Sequence, residues 1–169
     1  KPVVVPTQDM ILGSYYLTMD KAGEPGEGKV FRDFDEAMMA YDNGVLGLHA
    51  PIKVRKTLVI NGVEKTKLIN ATLGRLIFNS MIPQDLGYVK RLDDNGEPTE
   101  NVCDLEINFL TDSGKLKKIV DATIQHHDFA TAASVLDEIK AMGYKYSTRS
   151  AISIAIYVMR IPPEKKQIL

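Results

Sequence analysis

Three small constellations in this 169-residue chain contain residue types that can do chemistry. His126, His127 and Asp128 are adjacent and offer imidazole and carboxylate ligands. Neighbouring side chains on a helix diverge by about 100°, so two adjacent imidazoles do not readily face one ion. No H-E-x-x-H pattern is present, and the single cysteine, Cys103, lies elsewhere. The trio therefore reads as surface residues at a helix end, where a histidine suits the negative pole. Gly23, Gly26 and Gly28 have the spacing G-x-x-G-x-G, the reverse of a dinucleotide fingerprint, and no helix follows directly. They read as a flexible turn. No P-loop, G-x-S-x-G or EF-hand pattern occurs. Gln8 and Asp9 open an apolar helix behind Pro6, with Thr7 as N-cap. They are either capping residues or a polar pair displayed at the positive helix end near an anionic ligand. A carboxylate there would itself repel phosphate unless a cation intervened.

Charge is unevenly placed. Acids and bases nearly balance, for a net charge of −1. Residues 51–79 carry Lys53, Arg55, Lys56, Lys65, Lys67 and Arg75 against Glu64, a net +5. Residues 140–169 again carry +5. Residues 84–112 hold eight acids against two bases, a net −6. Such runs are either solvated faces or surfaces that meet phosphate or an acidic partner. A protein that bound nucleic acid alone would usually show a basic excess.

Composition sets the frame for these groups. Hydrophobic residues make up 44% and charged residues 25%, close to the globular average, which argues against disorder. The length suits one domain, over residues 1–169, with 84–112 an acidic, loop-rich segment inside it. One cysteine excludes an internal disulfide and points to the cytoplasm. No apolar run approaches the roughly 18 residues of a membrane span, and no signal peptide is visible. The chain opens on Lys1 without methionine, as expected of a piece excised or trimmed from something longer.

Periodicity predicts the elements that position the candidates. Residues 3–5, between Pro2 and Pro6, read as a short strand. The helix after Thr7 is apolar around much of its circumference through Met10, Ile11, Leu12, Tyr15 and Tyr16, and so is expected to be buried. Residues 22–28 form a loop. Residues 33–42 form a helix stopped by Asn43-Gly44. Residues 52–60 alternate, with Lys53, Arg55 and Thr57 on one face. Asn61-Gly62 then marks a hairpin returning along residues 63–69. Residues 72–81 read as a helix and 105–109 as a strand. Residues 115–127 and 131–142 form a helical pair ended by Gly143. Residues 152–159 are a β-rich run, and 162–169 begin a truncated helix. Mixed helices and short antiparallel strands without βαβ alternation predict an α+β fold.

Several blocks carry a family resemblance. Residues 2–18 (Pro-Val-Val-Val-Pro-Thr-Gln-Asp-Met-Ile-Leu-Gly-Ser-Tyr-Tyr-Leu-Thr) closely resemble a stretch of the largest catalytic (beta-prime) subunits of bacterial DNA-directed RNA polymerase. There the stretch follows shortly after the metal motif N-A-D-F-D-G-D. The likeness continues through residues 47–55, 72–79, 136–140, 143–150 and 161–166, in the family's order over nearly the whole chain.

The resemblance implies a pore-domain-like piece of the beta-prime subunit. Such a piece lines the secondary channel by which nucleoside triphosphates enter and backtracked RNA leaves during transcription. The whole enzyme is a nucleotidyltransferase that uses Mg²⁺ in a two-metal mechanism. The three-aspartate motif is absent here, so the resemblance implies no metal ligand, no catalytic residue and no activity in the isolated chain. Its implied partners are the beta, alpha and omega subunits, the remainder of beta-prime, template DNA, transcript RNA and nucleoside triphosphates, with no membrane. Gln8 and Asp9 match the family's Gln-Asp near the active centre, with Gln8 a polar contact close to the incoming nucleotide. Arg149, in a Thr-Arg-Ser match, implies support of the channel wall or catalytic loop. Lys53 and Arg55 match a basic strand used for packing and intersubunit contact.

Some positions depart from the family pattern. Ala151 and Ala155 stand where glycine is usual, and Tyr157 and Val158 where polar or acidic residues are usual. An alarmone site known in proteobacterial members uses a lysine and a tyrosine where Ala130 and Ala141 stand, so it is not carried over, and Asp137 alone does not restore it. Rival readings are a separately encoded binding module or regulator that docks on polymerase partners, and an independent phosphate-handling enzyme. The second would need metal ligands or a base that the sequence does not supply.

Overall fold

The computed structural model describes residues 4–160. The elements in chain order are α1 (Gln8–Thr18), β1 (Val30–Phe31), α2 (Phe34–Asp42), β2 (Ile52–Ile60), β3 (Val63–Ala71), α3 (Leu73–Met81), α4 (Ser113–His126) and α5 (Phe129–Arg160). Five helices beside one small sheet make an α+β fold.

Short polar side chains start the helices. Asp33 Oδ1 accepts from the Glu36 N–H at 2.9 Å, Thr72 Oγ1 from Arg75 at 3.1 Å, Asp112 Oδ1 from Lys115 at 2.9 Å and Asp128 Oδ1 from Thr131 at 2.7 Å. Each bond satisfies a donor that the first helical turn cannot use internally. At α1, Thr7 is the N-cap, and its backbone N–H meets Met10 Sδ at 3.4 Å.

The sheet order is β1-β2-β3. β2 and β3 pair antiparallel along nine residues each, from Ile52 opposite Ala71 to Ile60 opposite Val63. The turn places Asn61 at φ 51° and Gly62 at φ 76°, the left-handed pair that a tight two-residue hairpin requires. β1, which periodicity did not reveal, adds parallel to β2, with Val30 opposite Lys53. Ile52, Val54, Ile69 and Ala71 face the core, which continues through Leu73, Ile77 and Phe78 of α3 to Leu116, Ile119, Leu136 and Ile139. No helix among the described residues is long and apolar enough to cross a membrane.

Five expectations need correction. Residues 4–6 form no strand, because no partner segment pairs with them; residue 3 lies outside the described residues. α1 is buried on one face only. Gly13, Ser14, Leu17 and Thr18 turn inward, while Leu12 and Tyr15 are exposed.

Residues 105–109 are irregular. Their backbone is satisfied by side chains in place of a ladder. The Glu106 N–H donates to Gln84 Oε1 at 3.0 Å, and the Ile107 N–H to Asn79 Oδ1 at 2.9 Å. Asn79 Nδ2 in turn donates to the Ile107 carbonyl at 2.8 Å. The alternation there also misled, since Glu106 is buried and bonded to Arg91 at 3.1 Å.

Gly143 does not end a helix: it lies inside α5, which runs unbroken for 32 residues. Its missing side chain serves an interhelical contact. A Cβ on Gly143 would stand 2.5 Å from the Gly13 Cα of α1, and one on Gly13 would stand 2.9 Å from the Ile139 carbonyl oxygen. Residues 152–159 belong to the same helix, since Tyr146 anchors its preceding turns and no strand edge pairs with this run. The departures at Ala151 and Ala155 therefore fall on helical backbone, where alanine is favoured over glycine. The expected helix at 162–169 lies outside the described residues.

The α1–α5 contact predicts a substitution outcome. Gly143→Ala must separate two backbones, and overpacking of that kind costs about 1–3 kcal/mol. Gly114→Ala is the control, because its Cβ would meet only Asp112 Oδ1 at an ordinary 3.6 Å. Denaturant unfolding should show the first loss and leave the control within about 0.5 kcal/mol of the parent.

Candidate functional site

α1 carries Gln8 and Asp9 in its first turn, both exposed. Asp9 Oδ2 lies 4.0 Å from Lys140 Nζ on α5. Both side chains are more than half exposed, so the pair contributes little stability. Its effect is local: an ammonium stands beside the carboxylate at the helix start.

Behind this pair, α1 and α5 enclose a cavity of about 790 Å³. Gly13 and Gly143 line it where the backbones touch, Leu12, Tyr15 and Tyr144 give it apolar walls, and Asp9, Asp137 and Lys140 are its charged members. Asp137 and Ala141 thus share this cavity, whereas Ala130 lines a separate hollow at the start of α5. No histidine, cysteine or paired nucleophile and base lines the larger cavity. It can hold an apolar group beside charge.

The far end of α1 is held by three distant segments. Carbonyls in the last helical turn lack internal donors. His49 Nε2 donates to the Tyr16 carbonyl at 2.8 Å, and Arg75 Nε to the Thr18 carbonyl at 2.8 Å. The Thr111 N–H donates to Thr18 Oγ1 at 2.8 Å. The Arg75 charge therefore sits at the negative helix pole; partial burial lowers its pKa from the ordinary arginine value. His49 is only 6% exposed and leans edge-on against Tyr16. Glu24, from the glycine-rich turn, accepts from the His49 backbone N–H at 3.0 Å and lies 3.8 Å from its Nδ1.

Arg149 lies nine residues beyond Lys140, about 14 Å farther along α5. Its Nη2 donates to Asp42 Oδ1 at 3.1 Å. Its guanidinium stands 4.8 Å from the Tyr41 ring centre and 5.8 Å from that of Tyr146. The hydrogen bond to Asp42 raises the arginine pKa, and partial burial raises those of both phenols. Arg149 thus fastens α5 to α2.

Lys53 and Arg55 lie elsewhere, exposed on the outer face of β2. The structure therefore separates the expected residues into three places: the start of α1, the α2–α5 junction and the sheet. His127 Nε2 bonds Asp85 Oδ1 at 2.8 Å, so this end of α4 makes an ordinary surface contact. Among the described residues, no group of three or more His, Cys, Asp or Glu side chains could hold a metal ion. The donor set of the described residues does not fit Mg²⁺.

Sequence reasoning missed His49, Glu24 and the Gly13–Gly143 contact. Gly13 was visible as a small residue inside an otherwise apolar helical stretch, whereas Gly143 read as a helix end. The histidine left no periodic signal, because it sits in a turn before β2.

Comparison with known proteins adds the family. A model described as RNA polymerase Rpb1, domain 3 matches residues 1–157. The DNA-directed RNA polymerase subunit beta' of Acetivibrio thermocellus is 56% identical over 165 residues, covering 98% of this chain and 14% of that subunit. The corresponding subunit of Thermoanaerobacter pseudethanolicus is 50% identical over 169 residues, covering 100% and 14%. That of Clostridium novyi is also 50% identical over 169 residues, with the same coverages. This chain spans about one seventh of the length of these relatives.

The Tyr41–Tyr146–Arg149 cluster has a pH signature. Phenols whose pKa is raised by folding bind protons more tightly in the folded state. Their contribution to stability is complete below the unfolded tyrosine value, about pH 10, and is lost as pH rises through the folded values. Phenolate absorbance should show three late-titrating groups, because burial also raises the pKa of Tyr88 outside this cluster. Tyr41→Phe should remove one of them and flatten the alkaline loss of stability.

Proposed function

This chain belongs to the RNA polymerase Rpb1 domain 3 family, and from that premise we propose that it works as one domain of a beta-prime subunit of DNA-directed RNA polymerase in the bacterial cytoplasm. The observation that carries this reading is the 56% identity over 98% of the chain. The domain's task is to shape the secondary channel by which nucleoside triphosphates enter and backtracked RNA leaves. Mg²⁺ and the nucleotidyl-transfer chemistry belong to the assembled enzyme, with its beta, alpha and omega subunits, template and transcript. Alone, this chain is inactive.

The local chemistry supports a wall rather than a catalyst. α1 presents Gln8 and Asp9 on a stiff helix, with Lys140 close enough to offset the carboxylate's repulsion of phosphate. Gln8 is uncharged and exposed, and in the channel it makes a polar contact near the incoming nucleotide. Arg149 is engaged with Asp42 and two aromatic rings, so its role is to keep α5 in place.

Affinity capture of the native polypeptide from cell lysate tests the reading. A mass well above that of this 18.8 kDa stretch, with other polymerase subunits attached, supports it. A native chain near 18.8 kDa overturns it in favour of a separately encoded module that docks on polymerase. In the assembled enzyme, Gln8→Ala should raise the KM for nucleoside triphosphates by about three- to tenfold, with a smaller change in kcat, as loss of one polar contact made before and during reaction would. An unchanged KM overturns the contact.

A further inference from the structure

We infer that His49 is a positioning residue for nucleotide binding: its grip on the last turn of α1 sets where Gln8 stands at the other end of the same helix. The inference rests on the reading of Gln8 as a nucleotide contact, and goes beyond it by naming what aims that side chain.

α1 has the mechanics of a rod on a pivot. The pivot is the Gly13–Gly143 approach, at the midpoint of the helix. Gln8 and Thr18 lie to either side, each about 7.5 Å away along the axis. A rod whose closest contact is at its middle can rock, and a shift at one end returns at the other with similar size and opposite sense. Little restrains the Gln8 end. Among the described residues, positions 8–12 make no hydrogen bond to another element, and Met10 and Ile11 are only partly buried. The Asp9–Lys140 pair is long and exposed.

The Thr18 end is gripped. His49 Nε2 meets the Tyr16 carbonyl at 2.8 Å, and a carbonyl only accepts, so a proton sits on Nε2. The His49 carbonyl accepts from the Lys21 N–H at 2.8 Å, just beyond the helix. Its N–H donates to Glu24 Oε1 at 3.0 Å, and the Gly74 N–H ties the preceding Leu48 carbonyl to α3 at 2.9 Å. The buried ring, edge-on to Tyr16, has no space in which to swing away. Arg75 and Thr111 bond to Thr18, whereas His49 holds both the last turn and the segment that leaves it. It is therefore the residue that fixes the far arm of the rod, and with it the near one.

A double-mutant cycle in the purified, assembled polymerase tests this, read as KM and kcat for nucleoside triphosphates. His49→Phe keeps a ring against Tyr16 and removes the donor. It should raise KM about threefold with a smaller change in kcat, because a displaced contact is lost before and during reaction alike. His49→Gln, whose amide can donate in the same place, should stay within about twofold of the parent. In a Gln8→Ala background, His49→Phe should raise KM no further, since two residues that act through one contact are not additive. A histidine with a structural role alone gives another pattern: KM unchanged, or effects that multiply in the double variant. Either result overturns the inference, as does a His49→Gln enzyme no better than His49→Phe. If His49→Phe does not assemble, Arg75→Met loosens the same turn from a part-exposed position, and the same cycle decides. An unchanged KM for Gln8→Ala alone removes the underlying reading. A raised one with a silent His49→Phe removes this inference alone.

Discussion

Two glycines that touch across α1 and α5 set the geometry of the rest. The Gly143 Cβ position lies 2.5 Å from the Gly13 Cα, so neither helix can carry a side chain there. Backbone contact fixes the helices more tightly than side-chain interdigitation, because it has no rotamers to rearrange. It also leaves room on either side. The cavity of about 790 Å³ and the Asp9–Lys140 pair both lie along this seam. A second close approach, Gly74 against the Leu17 carbonyl, seats α3 beneath the same helix. His49, Arg75 and Thr111 then hold the last turn of α1. One helix of 11 residues is thereby tied to segments from four distant parts of the chain. Burial alone would not orient it, since its inward face is small and partly polar.

A second constraint governs the acidic stretch. Its backbone around residues 102–107 runs through the interior without a ladder, and every buried peptide group needs a partner. Asn79, Gln84 and Arg91 supply those partners from side chains. Arg91 alone donates to the carbonyls of Val102 and Asp104, at 2.7 and 2.9 Å, and to Glu106 at 3.1 Å. Glu106, 1% exposed, also accepts from the Tyr88 N–H at 2.6 Å. A buried pair of this kind adds little net stability over an apolar one, but removing either partner leaves an uncompensated charge. The net −6 of the segment is therefore not wholly surface: one of its acids and one of its bases work as internal scaffolding.

Local chemistry made some of this legible in the sequence. The helix starts near Asp33 and Thr72, the Asn61-Gly62 turn and the alternation of residues 52–60 all depend on neighbours in the chain, and all stand as expected. So does the placement of Lys53 and Arg55 on the strand face opposite Ile52 and Val54. The misreadings share one cause: a residue whose partner is remote. Gly143 looks like a helix end unless Gly13 is known to lie against it. Glu106 looks solvent-facing unless Arg91 is placed beside it. Ile152, Ile154 and Ile156 alternate as a strand does, but α5 continues through them because no strand pairs with them. At the candidate site, the composition of Gln8 and Asp9 was readable, but the approach of Lys140 was not.

The same distances bear on what the domain can do. A catalyst holds a nucleophile, a base and a charge stabiliser within bonding reach of one point. Here the candidate charged and polar groups are spread over separate faces, with Asp9 beside Lys140 and Arg149 bound to Asp42. What remains is a rigid frame with three unlike surfaces: a helix start with a compensated carboxylate, an apolar cleft edged by charge, and a sheet face with two unpaired cations. Rigidity has value in such a frame, because a surface selects by shape and potential only if neither relaxes around what it meets. The glycine seam, the tethered helix end and the internal Arg91–Glu106 pair each remove a way for the frame to relax.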